Sequence, residues 1–228
     1  MGEDICENHD MRRDIYTLRI TLRDSKPPIW RRVAVPSDIT LGQLHEVIQI
    51  AMGWTNSHLH QFVLRDKSLK PTRDEIRKVG EADIWDDAFM ARMRGQRVFT
   101  MLTTPIGDPT EMEGEDEDAV TLAEVCPKVK SKLTYEYDFG DGWEHTIEVQ
   151  KIEEPKPGVE YPVCLAGKLA CPPEDCGGIY GYYHMLDVVA DADHEEHDDL
   201  VEWLGDDFDP EAFDIDEVND ILAERRKG

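Results

Sequence analysis

The stretch that decides the fold is Tyr137-Asp138-Phe139-Gly140-Asp141-Gly142-Trp143-Glu144-His145, in which two glycines separate two runs of alternating apolar residues. Glycine adopts the backbone conformations that tight turns need, and side chains along a strand point to alternate faces. The pattern therefore predicts a β-hairpin that turns at Gly140 and Gly142. Its apolar face carries Leu133, Tyr135 and Tyr137 before the turn and Trp143, His145, Ile147 and Val149 after it.

A second hairpin is predicted nearer the amino terminus. Apolar residues alternate from Tyr16 to Leu22, and a second alternating run extends from Ile29 to Val35. Lys26-Pro27-Pro28 lies between the runs and is typical of a turn. Pro36 ends the second run, because proline has no amide hydrogen to donate to a sheet.

One helix is predicted between the hairpins. Thr40 is the expected N-cap, apolar residues recur at helical spacing through Met52, and Gly53 supplies the stop. Residues 58–64 are typical of a third strand. Together these patterns predict an α+β fold, with a mixed or antiparallel sheet built from the two hairpins, a packed helix and a helical C-terminal section.

The expected domain organisation follows from the same patterns. Residues 15–222 are interpreted as a single α+β domain, preceded by a flexible N-terminus over residues 1–14. Residues 67–118 are interpreted as an irregular acidic insertion that contains one short helix between Ile84 and Val98. The helical C-terminal section is expected over residues 179–222, and its apolar residues are expected to pack back onto the sheet.

The acidity of the chain is concentrated in its second half. The net charge is −25, yet residues 1–100 are nearly balanced, and residues 191–220 hold 15 acidic side chains with no Lys or Arg. Apolar residues such as Trp203 and Phe213 punctuate this segment, so amphipathic helices with solvated outer faces are expected. Such a surface repels phosphates and disfavours nucleic-acid binding by that half.

The cellular setting is predicted from the cysteines and from hydropathy. Five cysteines, spread from Cys6 to Cys176, do not form the dense, even-numbered pattern of a small secreted disulfide-linked module. No segment approaches the roughly 18 apolar residues that a membrane helix needs. We therefore expect a cytoplasmic protein with reduced thiols and no membrane partner.

Three closely spaced cysteines predict a metal site. Cys164, Cys171 and Cys176 have the spacing C-x6-C-x4-C in a loop rich in proline and glycine. Three thiolates with one imidazole are a ligand set for structural zinc, and the fourth ligand would be His145 or His184. Two alternatives remain open, since the thiols are either unrelated buried side chains or, for Cys171 and Cys176, a disulfide pair.

Acidic and imidazole side chains near the second hairpin suggest a cleft. Asp138 and Asp141 lie in its turn, and His58 and His60 share a face if their segment is a strand. Carboxylates and imidazoles are common ligands of a catalytic metal ion. However, no combination of nucleophile, base and orienting residue is recognisable in the sequence. The sequence therefore assigns no catalytic residue.

Several motifs in a fixed order resemble the plasmid pRiA4b ORF-3-like family. They are Leu18 to Leu22, Ile29-Trp30-Arg31-Arg32, Leu41 to Trp54 with His58 and His60, Tyr137 to His145, Cys171-Pro172-Pro173-Glu174-Asp175-Cys176-Gly177-Gly178, and Trp203-Leu204-Gly205. The resemblance implies an α+β fold and an association with plasmids and mobile elements, but no particular reaction. Residues 73–118 look expanded relative to the family pattern.

Three functional hypotheses follow. The first is a non-catalytic module that binds another, unknown protein and uses zinc for structure. The second is a metal-dependent hydrolase that uses Asp138, Asp141 and His145 with the nearby thiols or histidines. The third is a nucleic-acid accessory factor linked to mobile elements, suggested by a basic group that includes Arg19, Arg23, Arg31 and Arg32 but disfavoured by the net charge.

Overall fold

A computed structural model of the chain describes residues 13–78, 87–101, 114–205 and 208–227. The strands in these ranges are β1 (Ile15–Leu22), β2 (Trp30–Pro36), β3 (His60–Arg65), β4 (Gln96–Thr100), β5 (Glu115–Asp116), β6 (Lys132–Tyr137), β7 (Trp143–Glu153) and β8 (Val163–Lys168). The helices are α1 (Leu41–Met52), α2 (Arg73–Ile76), α3 (Asp87–Arg94), α4 (Leu122–Val125), α5 (Gly178–Ala190), α6 (His197–Leu204) and α7 (Ile215–Arg225).

The described strands form one mixed sheet in the order β5-β4-β3-β6-β7-β1-β2-β8. Both predicted hairpins are confirmed, since β1 pairs with β2 and β6 pairs with β7, in each case antiparallel. Strand β7 also pairs with β1, which joins the hairpins into a continuous surface. The pairing of β4 with β5 is parallel. The predicted α+β fold is therefore confirmed.

One face of the sheet is covered and the other is polar. The buried residues Leu18, Ile20 and Leu22 alternate along β1 with less buried polar ones. Helix α1 buries its apolar stripe in the same core, and it begins with a capping box between Thr40 and Gln43. Gly53 ends the helix in the left-handed conformation, as predicted.

Arg31 is a buried cation inside this core. Its side chain is 2% exposed, and its guanidinium donates to the carbonyl oxygens of Ala51 and Lys168 at 2.7 and 3.1 Å. The Phe213 ring lies 4.1 Å from the guanidinium carbon. Burial lowers the pKa of Arg31 from its ordinary value. Arg31 thus connects β2 to the end of α1, to β8 and to the C-terminal segment.

The last helix packs back onto the sheet. Helix α7 contacts β8 and α1, and Arg225 at its end pairs with Glu46 on α1. The side chain of Asn219 accepts from the backbone nitrogen of Cys164 at 2.7 Å and donates to its carbonyl oxygen at 3.0 Å. Strand β8 is an edge strand, so this amide supplies hydrogen bonds that a ninth strand would otherwise provide.

The prediction for the region around residue 90 was partly wrong. A helix is present, but α3 ends at Arg94 and Gly95 adopts a positive φ of 71°. Residues 96–100 then form β4, with Val98 and Phe99 paired to Val63 and Phe62 of β3. Pairing with β3 in the sheet outweighs the helical pattern in the sequence of this segment.

Some predictions lie wholly or partly outside the described residues. These concern the flexible N-terminus over residues 1–14, apart from Arg13 and Asp14, and part of the insertion over residues 67–118. In the part of the chain that the structure describes, no helix combines the length and the apolar character that a membrane crossing requires.

Two histidines are buried in the core as neutral rings. His45 is hydrogen-bonded to the hydroxyl of Tyr135 at 2.7 Å and to the side-chain oxygen of Asn56 at 2.8 Å, which assigns the donating hydrogen to Nε2. Burial, and secondly the His60 ring stacked at 3.4 Å, lower the pKa of His45 to about 3. His145 is 0% exposed, and burial likewise lowers its pKa to about 3.

We predict that the free energy of unfolding falls as the pH is lowered from about 6.5 towards 3. The unfolded chain protonates these histidines near pH 6.5 and the folded chain near pH 3, so the unfolded state binds more protons in this window. Each histidine contributes a slope of up to about 1.4 kcal/mol per pH unit. Urea unfolding at pH 7 and pH 5 measures the fall, and His145→Phe should reduce it.

The matched control is His184→Gln, which removes an imidazole that is 65% exposed. This variant should retain the pH dependence of the wild-type protein. An equal slope in His145→Phe and in the wild-type protein would contradict the prediction.

We also predict that Gly181→Ala destabilises the protein by about 1–3 kcal/mol through overpacking. A Cβ atom at Gly181 of α5 would lie 2.0 Å from the backbone oxygen of Cys176, and a backbone atom cannot rotate away as a side-chain atom can. In Gly42→Ala on α1 the nearest atom is a side-chain oxygen of the exposed Asp118, which rotates away. Urea denaturation compares the two, and an equal loss of stability in both variants would show that the close approach is not the cause.

Candidate functional site

Three loops meet at one end of the sheet. They are the loop between α1 and β3, the turn between β6 and β7, and the cysteine loop, which we define as residues 169–177. His58, Asp138 and Asp175 each come from a different one of these loops. Their ligand atoms all lie within 4.8 Å of one another, and no other described group of three or more His, Cys, Asp or Glu side chains does so.

Asp138 is held in place by its own turn. Its φ is 54°, and its Oδ1 accepts from the backbone nitrogen atoms of Gly140 at 2.9 Å and Asp141 at 3.4 Å. This is the geometry in which Asp stabilises a left-handed turn residue. Asp138 is 7% exposed, and its Oδ2 lies 3.7 Å from Nε2 of His58. The turn thus presents one carboxylate oxygen to the neighbouring loop.

The cysteine loop is fastened to both of its neighbours. Trp54 donates from its ring nitrogen to the carbonyl oxygen of Pro172 at 3.0 Å. Glu174 accepts from the hydroxyl of Tyr137 and from that of Thr55. Asp141 accepts from the backbone nitrogen of Gly177 at 3.2 Å. These contacts place the next residue of the loop, Asp175, beside His58, with Asp175 Oδ1 at 3.3 Å from His58 Nε2.

The predicted zinc ligands do not converge. Within the described residues, no three of Cys164, Cys171, Cys176 and His145 place their ligand atoms within 4.8 Å of one another. Cys164 lies in β8, with its sulfur 3.7 Å from the carbonyl oxygen of Arg32. All three thiols are free, which leaves the disulfide alternative without support in this structure. Zinc binding by these cysteines stays a prediction.

Burial makes the thiols of the loop weak acids. It raises the pKa of Cys176 to about 12 and that of Cys171 well above the ordinary value. The nearby Arg31 guanidinium opposes the rise at Cys171, but burial has the larger effect. A metal ion must therefore displace tightly held protons before these sulfurs become ligands.

The histidines that were predicted near the cleft lie in different parts of the structure. Strand β3 begins at His60, so His58 lies in the preceding loop, and the two do not share a strand face. His60 points into the core and contacts Glu117 at 3.0 Å, with both residues 3% exposed. His145 is enclosed by Trp54 and Tyr135, with no described hydrogen-bond partner for either ring nitrogen. His58 alone of the three faces the loops.

His184, the alternative fourth zinc ligand, is exposed on α5. Its ring centroid lies 6.3 Å from that of His194, and its Nε2 lies 3.9 Å from a carboxylate oxygen of Glu196. Its described contacts are therefore to His194 and Glu196 rather than to the cysteines. The position of His184 does not favour its role as a zinc ligand.

A groove of mixed character lies against the cysteine loop, and its lining includes Glu174 and Asp209 beside apolar residues. This groove, of about 440 Å³, is called the Trp203 groove and is lined chiefly by Trp54, Cys171, Pro172, Pro173, Trp203 and Leu204. Trp203 on α6 is 51% exposed, whereas Trp54 is 7% exposed. The groove therefore has a buried aromatic floor and one large aromatic residue open to solvent at its side.

Sequence reasoning missed Asp175 and the Trp203 groove. Cys171 and Cys176, on either side of Asp175, were the expected ligands of this loop, so Asp175 was not among the predicted site residues. Asp175 has a positive φ of 59°. Trp203 was interpreted as a core residue of an amphipathic helix, and half of its side chain is exposed instead. The acidic residues Asp199 and Glu202 close to Trp203 were the available signal.

Known proteins share this architecture. The family model for the plasmid pRiA4b ORF-3-like protein matches residues 14–217. The uncharacterized protein y4hQ of Sinorhizobium fredii is 36% identical over 207 residues, which cover 90% of this chain and 89% of that protein. The crystal structure of MM3350, a protein of unknown function from Methanosarcina mazei Go1, aligns with a TM-score of 0.69 and 34% identity, over 90% of this chain and 96% of that one.

Both relatives match along nearly their full lengths, and the family model spans the sheet, the three loops and most of the C-terminal helices. The chain belongs to the plasmid pRiA4b ORF-3-like family.

Proposed function

We propose that this protein is a non-catalytic binding module that holds an apolar segment of a partner protein in the Trp203 groove. The observation that carries the proposal is the exposure of Trp203, which is 51% exposed beside a groove that Trp54, Pro172 and Pro173 also line. A large apolar side chain costs free energy when it is left in water, and tryptophan is the residue most enriched at energetically dominant contacts between proteins. Its exposure next to a groove is typical of a recognition surface.

The groove suits a peptide side chain in shape and in surroundings. The prolines of the cysteine loop give one rigid wall, because each proline ring restricts its own backbone. The opposite wall comes from α6, which contacts α5. The Trp54 floor is held by its hydrogen bond to Pro172. A largely preformed groove reduces the entropy that is lost when a partner binds.

Charge indicates which partner fits. Asp198, Asp199 and Glu202 are exposed on α6, and Asp209 is exposed at the rim of the groove. The whole 191–220 segment lacks Lys and Arg. Opposite charges steer partners together and suppress unsuitable ones. The partner segment is therefore expected to carry an apolar anchor residue flanked by Lys or Arg.

The described contacts give less support to a hydrolase. That hypothesis includes His145 as a site residue, yet His145 is 0% exposed and enclosed by aromatic rings. A general base must come within hydrogen-bond reach of the proton that it abstracts. His145 has no such access in this structure.

The arginines on which the nucleic-acid hypothesis depends have other contacts in the described structure. Arg31 points into the core. Arg19 and Arg32 lie on the polar face, where both approach the Trp30 ring and Arg32 donates to Gln150 at 2.8 Å. Arg23 pairs with Glu144. These partners neutralise or occupy the cations that phosphates would need.

We predict that Trp203→Ala weakens the binding of selected peptides at least about tenfold, because it removes the exposed aromatic wall of the groove. A random peptide library is displayed against the purified full chain, and individual peptides are then measured by fluorescence anisotropy. The selected peptides should combine an apolar anchor with Lys or Arg. Their affinity should fall as salt is raised, since the attraction to the acidic rim is screened.

The matched control is Tyr180→Ala, which removes an aromatic side chain that is 88% exposed on α5 and does not line the groove. This variant should bind the peptides as the wild-type protein does. Equal binding by Trp203→Ala, or a selection that enriches no sequence, would contradict the proposal. Salt-sensitive binding of an oligonucleotide that is lost in Arg19→Glu would favour the nucleic-acid hypothesis instead.

A further inference from the structure

We propose that His58, Asp138 and Asp175 bind a single divalent transition-metal ion at the junction of the three loops. This inference is independent of the Trp203 groove, because none of the three ligands lines that groove. It also differs from the cysteine site that the sequence predicts, because it uses one imidazole and two carboxylates. The ligands come from three separate segments, so the ion would join loops that the chain itself does not link.

The distances between the side chains suit a shared ion better than direct hydrogen bonds. Nε2 of His58 lies 3.3 Å from Oδ1 of Asp175 and 3.7 Å from Oδ2 of Asp138. A hydrogen bond between nitrogen and oxygen is typically about 2.9–3.0 Å long. Two ligands at about 2.0–2.2 Å from a tetrahedral metal ion are roughly 3.3–3.5 Å apart. Small side-chain movements bring both pairs into that range.

His58 supplies a second, independent observation. Its Nε2 is buried from solvent and has no hydrogen-bond partner, although two carboxylates are close by. A buried polar atom without a partner is costly, and such an atom in a folded protein calls for an explanation such as an ion. A metal ion accepts the lone pair of a neutral imidazole and removes that cost.

Neighbouring residues hold the ligand-bearing loops in position. The turn amides hold Oδ1 of Asp138, which leaves Oδ2 as the oxygen nearest to His58. His58 lies edge-on to the Tyr137 ring, with centroids 5.8 Å apart. Tyr137 also donates to Glu174, the residue before Asp175. One tyrosine thus positions two of the three ligand-bearing loops, as residues behind metal ligands commonly do.

The donor set indicates the class of ion. An imidazole with two carboxylates suits zinc, manganese or iron, whereas magnesium and calcium prefer oxygen ligands alone. Two carboxylates and a neutral imidazole give the site a formal charge of −2, which matches a divalent cation. Asp175 has a 74% exposed side chain, so ions enter from solvent without an opening motion.

Isothermal titration with zinc sulfate tests the site on the full chain, after chelation and with the thiols kept reduced. The wild-type protein should bind one zinc ion, and His58→Ala and Asp175→Asn should each weaken that binding at least tenfold. Asp175→Asn is the safer variant, because Asn has nearly the same shape and tolerates a positive φ. Zinc should also raise the thermal midpoint of the wild-type protein and not that of these variants.

Two controls separate this site from others. The double variant Cys171→Ser with Cys176→Ser should bind zinc as the wild-type protein does, and so should His184→Ala. Cobalt bound to the wild-type protein should show no sulfur-to-metal charge-transfer band. The proposal is overturned if the wild-type protein takes up no zinc, if His58→Ala binds it equally well, or if the cysteine variant loses it.

Discussion

The burial of Arg31 is the constraint on which the rest of the structure depends. A guanidinium cannot lose its charge in a protein, so taking it out of water requires several well-placed acceptors. They come from Ala51 at the end of α1, from Trp30 and from Lys168 at the end of β8. The C-terminal end of a helix is also the negative end of its dipole, which adds to the attraction. One side chain therefore sets the relative positions of α1 and both strands at this edge of the sheet.

The Arg31 guanidinium also contacts the C-terminal segment. Phe213 lies over the guanidinium at 4.1 Å, and Gly167 leaves room for its ring, since a Cβ there would lie 2.4 Å from it. Phe213 lies between α6 and α7, so the contact anchors the chain between the helix that lines the Trp203 groove and the helix that closes the sheet edge. Arg31 thus contacts the segment that connects the helix of the Trp203 groove to the last helix.

Close backbone approach forms the junction of the three loops. Gly178 has a positive φ of 69°, and a Cβ at this position would lie 2.4 Å from the carbonyl oxygen of Asp141. The turn of the second hairpin and the start of α5 therefore touch where no larger residue fits. Asp138 and Asp175 are held near each other by this contact, together with the hydrogen bond from Gly177 to Asp141. Two acidic residues remain adjacent because the backbone, rather than the side chains, brings them together.

The sequence by itself determined strands β1, β2, β3, β6 and β7, the two hairpins and helix α1. Alternation, turn residues and caps act over a few residues, and Gly140, Gly142, Thr40 and Gly53 carry that information locally. It also singled out His58, Asp138 and Asp141 as candidate site residues. Only the tertiary structure decided which of these residues lie together. His60 and His145 are buried in the core, and Asp175 lies beside His58. Trp203 is half exposed. These outcomes depend on contacts between residues far apart in the chain, which no local pattern specifies.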